Sequence, residues 1–341
     1  MTGSGRAPLP GPRGAISRKV LDAMLGRGPV RSLARDLAAV TDVLGDEDLH
    51  LALWCLYELH YRGLDGVADE LEWDPHLLAC RRELEEVFLQ GLRASSKAAC
   101  ARARAGAGDV IDQIRLLIAE DTGPDLATFV QRHADVDQFR DVMVQRSLYT
   151  LKESDPSSFV LPRVDGPAKV ALAELQYDEY GGGRPDRLHA RLFASAMEHC
   201  GLDSGYAHYI GEASGSTLAL NNAMSLFALH RGLRGAALGH LATFEATSTI
   251  PCRRIAAGVR RLRLPDAVWH YFDEHVEADA VHEEVALRSI CARIVSDQPD
   301  LRDDVLLGSA TCLLMDGAVA RSLLEGWGVD GGVGDCAQVP A

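Results

Sequence analysis

Along most of this chain apolar residues recur at three- and four-residue steps, the spacing that gathers them on one face of an α-helix. Stretches 20–25, 30–44 and 48–61 show it first. A fourth helix is predicted to open at Pro75, because proline suits the first helical position, where its missing N–H would have no partner. It continues through Leu77, Leu78, Leu84, Val87 and Phe88. Helices are predicted next at 109–119, 125–133 and 136–152. A loop follows, bracketed by Pro156 and Pro162. The helical spacing resumes over 167–180, 184–200, 217–231, 234–247, 255–262, 266–295 and 300–326. No alternating run suggests a strand, and no segment repeats. The expectation is an all-α fold with one helical domain over 16–328. Residues 16–106 would form an N-terminal layer and 107–328 the core. Residues 1–15, rich in Gly, Pro and Arg, read as a disordered tail, and 329–341, rich in Gly, as a loose one.

Composition narrows the classes. The 341 residues are 47% hydrophobic and 25% charged, an ordinary globular balance that excludes collagen, coiled coil and global disorder. Against 35 Lys and Arg stand 49 Asp and Glu, a formal charge of −14. Such a chain repels phosphate backbones, so nucleic acid is not an expected partner. None of the eight cysteines forms a C-x-x-C pair; they read as small buried hydrophobes in a reducing cytoplasm. No unbroken apolar run reaches membrane-spanning length, so no membrane is expected either. The acidic excess leaves one question: a solvated surface, or carboxylates that hold metal ions.

His275, Asp279 and His282 form an H-x3-D-x2-H pattern in the predicted helix 266–295. At about 100° per residue the three lie within roughly 60° of one another. Two imidazoles and a carboxylate on one stripe suit a divalent transition metal. The competing reading is a solvated acidic face, since Asp273, Glu274, Glu277, Glu283 and Glu284 share the helix. A second candidate pairs Glu179 with His189 across Gly181, Gly182 and Gly183. Three glycines should end a helix, and the break can re-aim both side chains at one point; an ordinary helix corner is the alternative. Glu245 sits in a largely apolar helical stretch, where an unpaired carboxylate is costly to bury. Glu153 follows the helix predicted over 136–152. Jointly these carboxylates and histidines suit a dinuclear iron site with positions open to O2. A ferritin-like site would need two Glu-x-x-His pairs. The chain has one, Glu47 with His50, which reads as a helix-start surface pair.

At these residues the sequence resembles the haem-oxygenase-like di-iron oxidase and oxygenase superfamily, the iron-containing redox enzymes. The segment from Glu174 through the three glycines to His189, followed by the H-x3-D-x2-H helix, carries the resemblance most specifically. Residues 57–63, Trp73 to Pro75 and the stretch from Lys152 to Pro162 extend it. It implies a seven-helix haem-oxygenase-like bundle with additional N-terminal helices and two Fe(II) ions between core helices. It further implies O2 as co-substrate, a small-molecule substrate, an external electron donor and a homodimer. Glu179 and His189 match the first ligand pair, Glu245 a bridging carboxylate, and His275, Asp279 and His282 the last-helix triad. Glu153 matches the extra carboxylate of members that oxygenate amine nitrogen, which points to specialised metabolism of an amine or amino acid. Other members cleave, decarboxylate or desaturate carbon chains. Arg253 and Arg254, soon after Glu245, are candidate grips for a substrate carboxylate; Tyr177 and His240 are candidate pocket residues. A non-catalytic iron-binding protein is the alternative of another class. A haem enzyme would not surround its proximal histidine with so many carboxylates.

Overall fold

The computed structural model describes residues 5–29 and 32–329, except for the side chains of 277–280. It is all-α, 74% helical, with no strand among the described residues. The longer helices are α1 Ala15–Met24, α2 Glu47–Glu58, α3 Pro75–Ala105, α4 Val110–Ala119, α5 Leu126–Arg132 and α6 Val136–Thr150. They continue as α7 Gly166–Glu179, α8 His189–His199, α9 Gly215–Leu229, α10 Arg234–Arg261, α11 Asp266–Glu284 and α12 Arg302–Gly326. Beyond α11 the chain runs on as a π-helix, Val285–Ala292, and ends in a short turn, Arg293–Asp297.

Many of the starts are set by aspartates. Asp46, Asp74, Asp109, Asp125 and Asp135 each accept backbone N–H groups at the first turn of α2 to α6. Pro75 stands at the first position of α3, as the sequence suggests. The helices bury three apolar clusters. One joins α1, α2 and α3 to α9, around Trp54, Tyr57, Phe88 and Phe227. A second joins α4 and α7 to α10, α12 and the π-helix. The third joins α5, α6 and α8 to α10 and α11, around Phe139, Phe193 and Phe272.

α10 and α12 form the spine. A Cβ on Gly239 would lie 2.0 Å from the Val305 carbonyl oxygen, and one on Gly308 would lie 1.9 Å from that of Ala236. Only glycine lets the two backbones approach this closely. By length and mean hydropathy (1.2) the segment Pro299–Gly326 is able to span a bilayer, yet 56% of its most apolar window is buried inside the protein.

Four expectations need correction. Residues 5–14 are tied down rather than loose. Ala7 pairs with Leu64 in an isolated bridge and is fully buried, and Arg13 donates to the carbonyls of Ile210, Gly211 and Ala213. Of the helix expected over 30–44 only the single turn Ala34–Leu37 forms. The Asp42 carboxylate instead accepts the N–H groups of Leu44 and Gly45, an Asx turn that competes with helix. α10 does not break near Pro251; it runs straight through it. On the preceding turns the hydroxyls of Thr247 and Ser248 donate to the carbonyls of Thr243 and Phe244. His50 is a core residue, not a surface one: it is fully buried, with Nε2 2.9 Å from the Val43 carbonyl oxygen and Nδ1 3.2 Å from Asn222 Nδ2. The expected tail lies outside the described residues beyond Val329.

Candidate metal centre

Six of the seven predicted ligands meet between α6, α7, α8, α10 and α11. Glu153 lies in the turn that leaves α6, beside Ser154, whose φ of +70° is left-handed. That turn is pinned from both sides: Lys152 pairs with Glu58, and Gln176 donates to the Ser154 hydroxyl. Glu179 ends α7 and His189 starts α8. Between them Gly181, Gly182 and Gly183 take φ values of +82°, +60° and +80°. A Cβ on Gly181 would lie 2.4 Å from the Arg184 carbonyl oxygen. The glycine break therefore folds the chain back on itself, and it brings Glu179 Oε2 to 3.1 Å from His189 Nδ1.

The side chains sort into two groups. Glu153, His189 and His275 form one; Glu179, Glu245 and His282 form the other, each with ligand atoms within 4.8 Å of one another. All six residues are buried. Glu153 Oε2 lies 3.7 Å from His275 Nε2. Glu179 Oε1 and Glu245 Oε2 lie 3.2 and 3.6 Å from His282 Nδ1. Glu179 thus turns one oxygen to a histidine of each group. The sequence reading expects Glu245 to bridge; the bridging posture belongs to Glu179. The side chain of Asp279 lies outside the described residues.

The donor set fits divalent metal ions. His189 Nδ1 and His282 Nδ1 are buried, face carboxylate oxygens at short range, and yet make no hydrogen bond to them. Imidazole nitrogens and carboxylate oxygens that converge in this way are the donor set a divalent metal takes, and without metal a proton on the ring holds its place. Neighbours also set the ring tautomers. His275 Nδ1 lies 2.8 Å from the Tyr271 carbonyl oxygen, so it carries the proton and leaves Nε2 facing Glu153. His282 Nε2 lies 3.6 Å from Asp178, while Nδ1 faces Glu179 and Glu245. Tyr271 also directs its hydroxyl at Glu153 Oε2, at 3.5 Å.

Electrostatics agree with an excess of buried negative charge. Burial pushes the Glu179 carboxyl up, but His189 and His282 pull it down further, to well below the usual range. Burial raises the Glu245 carboxyl, and the nearby charge of Glu179 adds to the rise. Burial lowers His282, but Glu179 and Glu245 outweigh it and hold the imidazolium up to about 11. His189 is raised too, because Glu179 overcomes its burial.

The predicted substrate contacts do not gather here. Arg253 is exposed on α10. Arg254 forms an ion pair with Asp125 at 2.6 Å. Tyr177 is 58% exposed and clasps the glycine turn, donating to the Gly182 carbonyl at 2.7 Å. His240 is buried, lowered to about 4 by that burial, and lines only a small cavity of about 20 Å³ with Tyr149, Met224 and Phe244. Sequence reasoning missed two residues that feel the cluster's carboxylates, Arg146 and Tyr149. Arg146 carries the signal that marks Glu245, a lone charge in a largely apolar helical stretch.

The family of iron-containing redox enzymes matches residues 140–317. That span runs from α6 into α12 and contains the six gathered residues and Asp279. The chain belongs to this family, and its fold is haem-oxygenase-like. It is therefore an iron-containing oxidoreductase by family, with two buried Glu/His groups able to hold metal. No curated protein matches the chain.

Proposed function

We propose that this chain is a di-iron oxidase or oxygenase that uses O2 to oxidise a small metabolite, with N-oxygenation of an amine or amino acid as the favoured chemistry. The observation that carries the reading is Glu179, one carboxylate whose two oxygens address histidines of two separate ligand groups. In this reading Glu153, His189 and His275 hold one ion. Glu245 and His282 would hold the other, Glu179 would serve both, and Asp279 would complete the last-helix set. Two bound Fe(II) ions would supply the electrons that reduce O2. An external donor would return the centre to Fe(II).

The protein's own part is positioning and protection. The Tyr271 carbonyl holds the His275 Nδ1 proton away from the centre. Desolvation raises the phenols of Tyr149 and Tyr271, as do the nearby carboxylates, so both stay protonated and do not compete as anionic ligands. Glu153 faces His275 from inside the protein, which supports its role as the extra carboxylate and with it the preference for nitrogen.

Anaerobic Fe(II) titration of the metal-free protein tests the class. The expected result is about two irons per chain and a transient visible absorption on mixing with O2. One iron or none, unchanged by Glu245→Ala or His282→Ala, would sink it. Product analysis then tests the chemistry: an alkene or decarboxylated product in place of an N–O bond moves the reaction to carbon.

A further inference from the structure

Residues 152–155 form the turn that brings Glu153 to the centre, and its neighbours on both sides are tied down by their side chains. Lys152 reaches Glu58 at 3.2 Å, and Asp155 lies 3.6 Å from Arg62. Both partners belong to the N-terminal layer. Ser154 is held from the opposite side, by Gln176 of α7, whose Nε2 donates to the Ser154 hydroxyl at 2.5 Å. The carboxylate of Glu153 faces inward instead, 3.7 Å from His275 Nε2 and 3.5 Å from the Tyr271 hydroxyl.

Gln176 is only 3% exposed, and a primary amide so deep is costly unless both of its ends are bonded. Both are. Its Oε1 accepts from the Ser158 hydroxyl at 2.9 Å, so one side chain spans the turn from Ser154 to Ser158. Glu179 and Tyr180 follow three and four residues on, which places them beside Gln176 on the helix surface. The Tyr180 hydroxyl lies 2.8 Å from the Ser158 oxygen and 3.1 Å from Asp155. The last turn of α7 thus grips 154–158 and presents Glu179 from the same side. Ser154 needs that grip. Its φ of +70° is left-handed, a conformation that a residue with a side chain keeps only where its surroundings enforce it. A released Ser154 would relax toward ordinary backbone angles, and Glu153, its direct neighbour, would move with it.

We propose that Gln176 is a positioning residue of the metal centre: by holding Ser154 left-handed it fixes Glu153 relative to Glu179, and so sets the spacing of the two metal ions. Gln176 belongs to neither ligand group. The inference rests on the di-iron reading, which gives Glu153 to one ion and Glu179 to both, and it places the spacing device outside the ligands. Loss of Gln176 should therefore act unequally. The group of Glu153, His189 and His275 would have its carboxylate displaced, while Glu179, Glu245 and His282 would keep their places.

Anaerobic Mn(II) titration of the metal-free, full-length protein tests this, read by calorimetry and by electron paramagnetic resonance. Two ions that share a carboxylate give a spin-coupled signal, and a lone ion gives an uncoupled one. The wild type should take up two coupled ions. Gln176→Leu keeps the bulk of the side chain and removes both hydrogen bonds. It should weaken one site about tenfold or more, leave the other unchanged, and show the uncoupled signal at loadings where the wild type is coupled. Adding Ser154→Gly should restore affinity and coupling, because glycine takes the left-handed turn without help. Packing lost at position 176 would not be repaired by a change at 154. Ser158→Ala removes one of the two bonds and should shift the same site in the same direction by less. Native affinity and coupling in Gln176→Leu would overturn the inference and leave the di-iron reading standing. So would equal weakening of both sites, or no rescue by Ser154→Gly. Should Gln176→Leu not fold, an unchanged Ser158→Ala would overturn it as well. A wild type that takes up a single ion would overturn the di-iron reading and the inference with it.

Discussion

Two buried polar clusters lie side by side in this protein, and consecutive residues belong to each: Lys152 to one, Glu153 to the other. In the first, Glu58 is wholly buried and fully served. It accepts Lys152 Nζ at 3.2 Å, the Tyr206 hydroxyl at 2.9 Å and the Arg62 N–H at 3.3 Å. The Lys152 ammonium also sits 4.1 Å over the Tyr61 ring, and the Arg62 guanidinium 4.1 Å over that of Tyr206. In the second, three carboxylates face three imidazoles, and buried ring nitrogens meet oxygens without hydrogen bonds. The first cluster is complete as it stands; the second presents a donor set that divalent cations would complete. Burial alone does not separate a structural ion network from a ligand site. What separates them is whether each donor already has its acceptor.

That contrast can be broken at its strongest points first. Glu179→Ala removes the one carboxylate that both groups share, so metal content should fall from about two ions per chain to below one, read by elemental analysis. Lys152→Met leaves Glu58 charged and uncompensated, which costs on the order of 3–5 kcal/mol. Urea denaturation should show that loss, while the surviving folded protein keeps its metal stoichiometry. Equal effects of the two substitutions on metal content would erase the distinction between the clusters.

Gly181→Ala forces a side chain into a left-handed turn and against the Arg184 carbonyl. It should cost about 1–3 kcal/mol and weaken metal binding by misplacing Glu179 and His189.

A pH series distinguishes the clusters more gently. In the metal-free protein His282 is raised from an ordinary value of 6.5 to about 11. Its contribution is therefore complete below about 6.5 and is lost progressively as pH rises toward about 11. The denaturation midpoint of metal-free protein should fall across that window, and less so once metal replaces the proton. An equal fall in both forms would mean that His282 is not at the metal. The smallest effect belongs to the surface: Arg254→Ala breaks a half-exposed pair with Asp125 and should cost about 1 kcal/mol or less, with no change in metal content.

Much of the second cluster is legible in the sequence because its geometry is local. The seven-residue step from His275 to His282 is set by helical pitch, and three glycines between Glu179 and His189 announce a turn that few other residues can make. Which carboxylate faces both ligand groups was not legible, since that depends on how α7 and α10 are placed. The substrate contacts illustrate a different failure. The arginines after Glu245 do not reach the centre: α10 passes through Pro251 unbroken, and the continuous pitch carries Arg253 to the solvent and Arg254 to Asp125. The loose N-terminus failed for a related reason, because Arg13 finds its acceptors 197 to 200 residues away.

The glycine contact between α10 and α12 has a mechanical consequence. At Gly239 and Gly308 the two helices touch backbone to backbone and run in the same direction. A hollow of about 150 Å³ follows C-terminal to that point, lined by Phe244 and Ile255 of α10 and by Asp316 and Val319 of α12, Asp316 being about 12 Å along the axis by helical rise. The pair behaves as a pair of compasses, closed at the pivot and open at the tips, with the hollow between the legs. Adding a single methyl group at the pivot is the smallest way to widen the angle, and so to change the dimensions of the chamber without touching any residue that lines it.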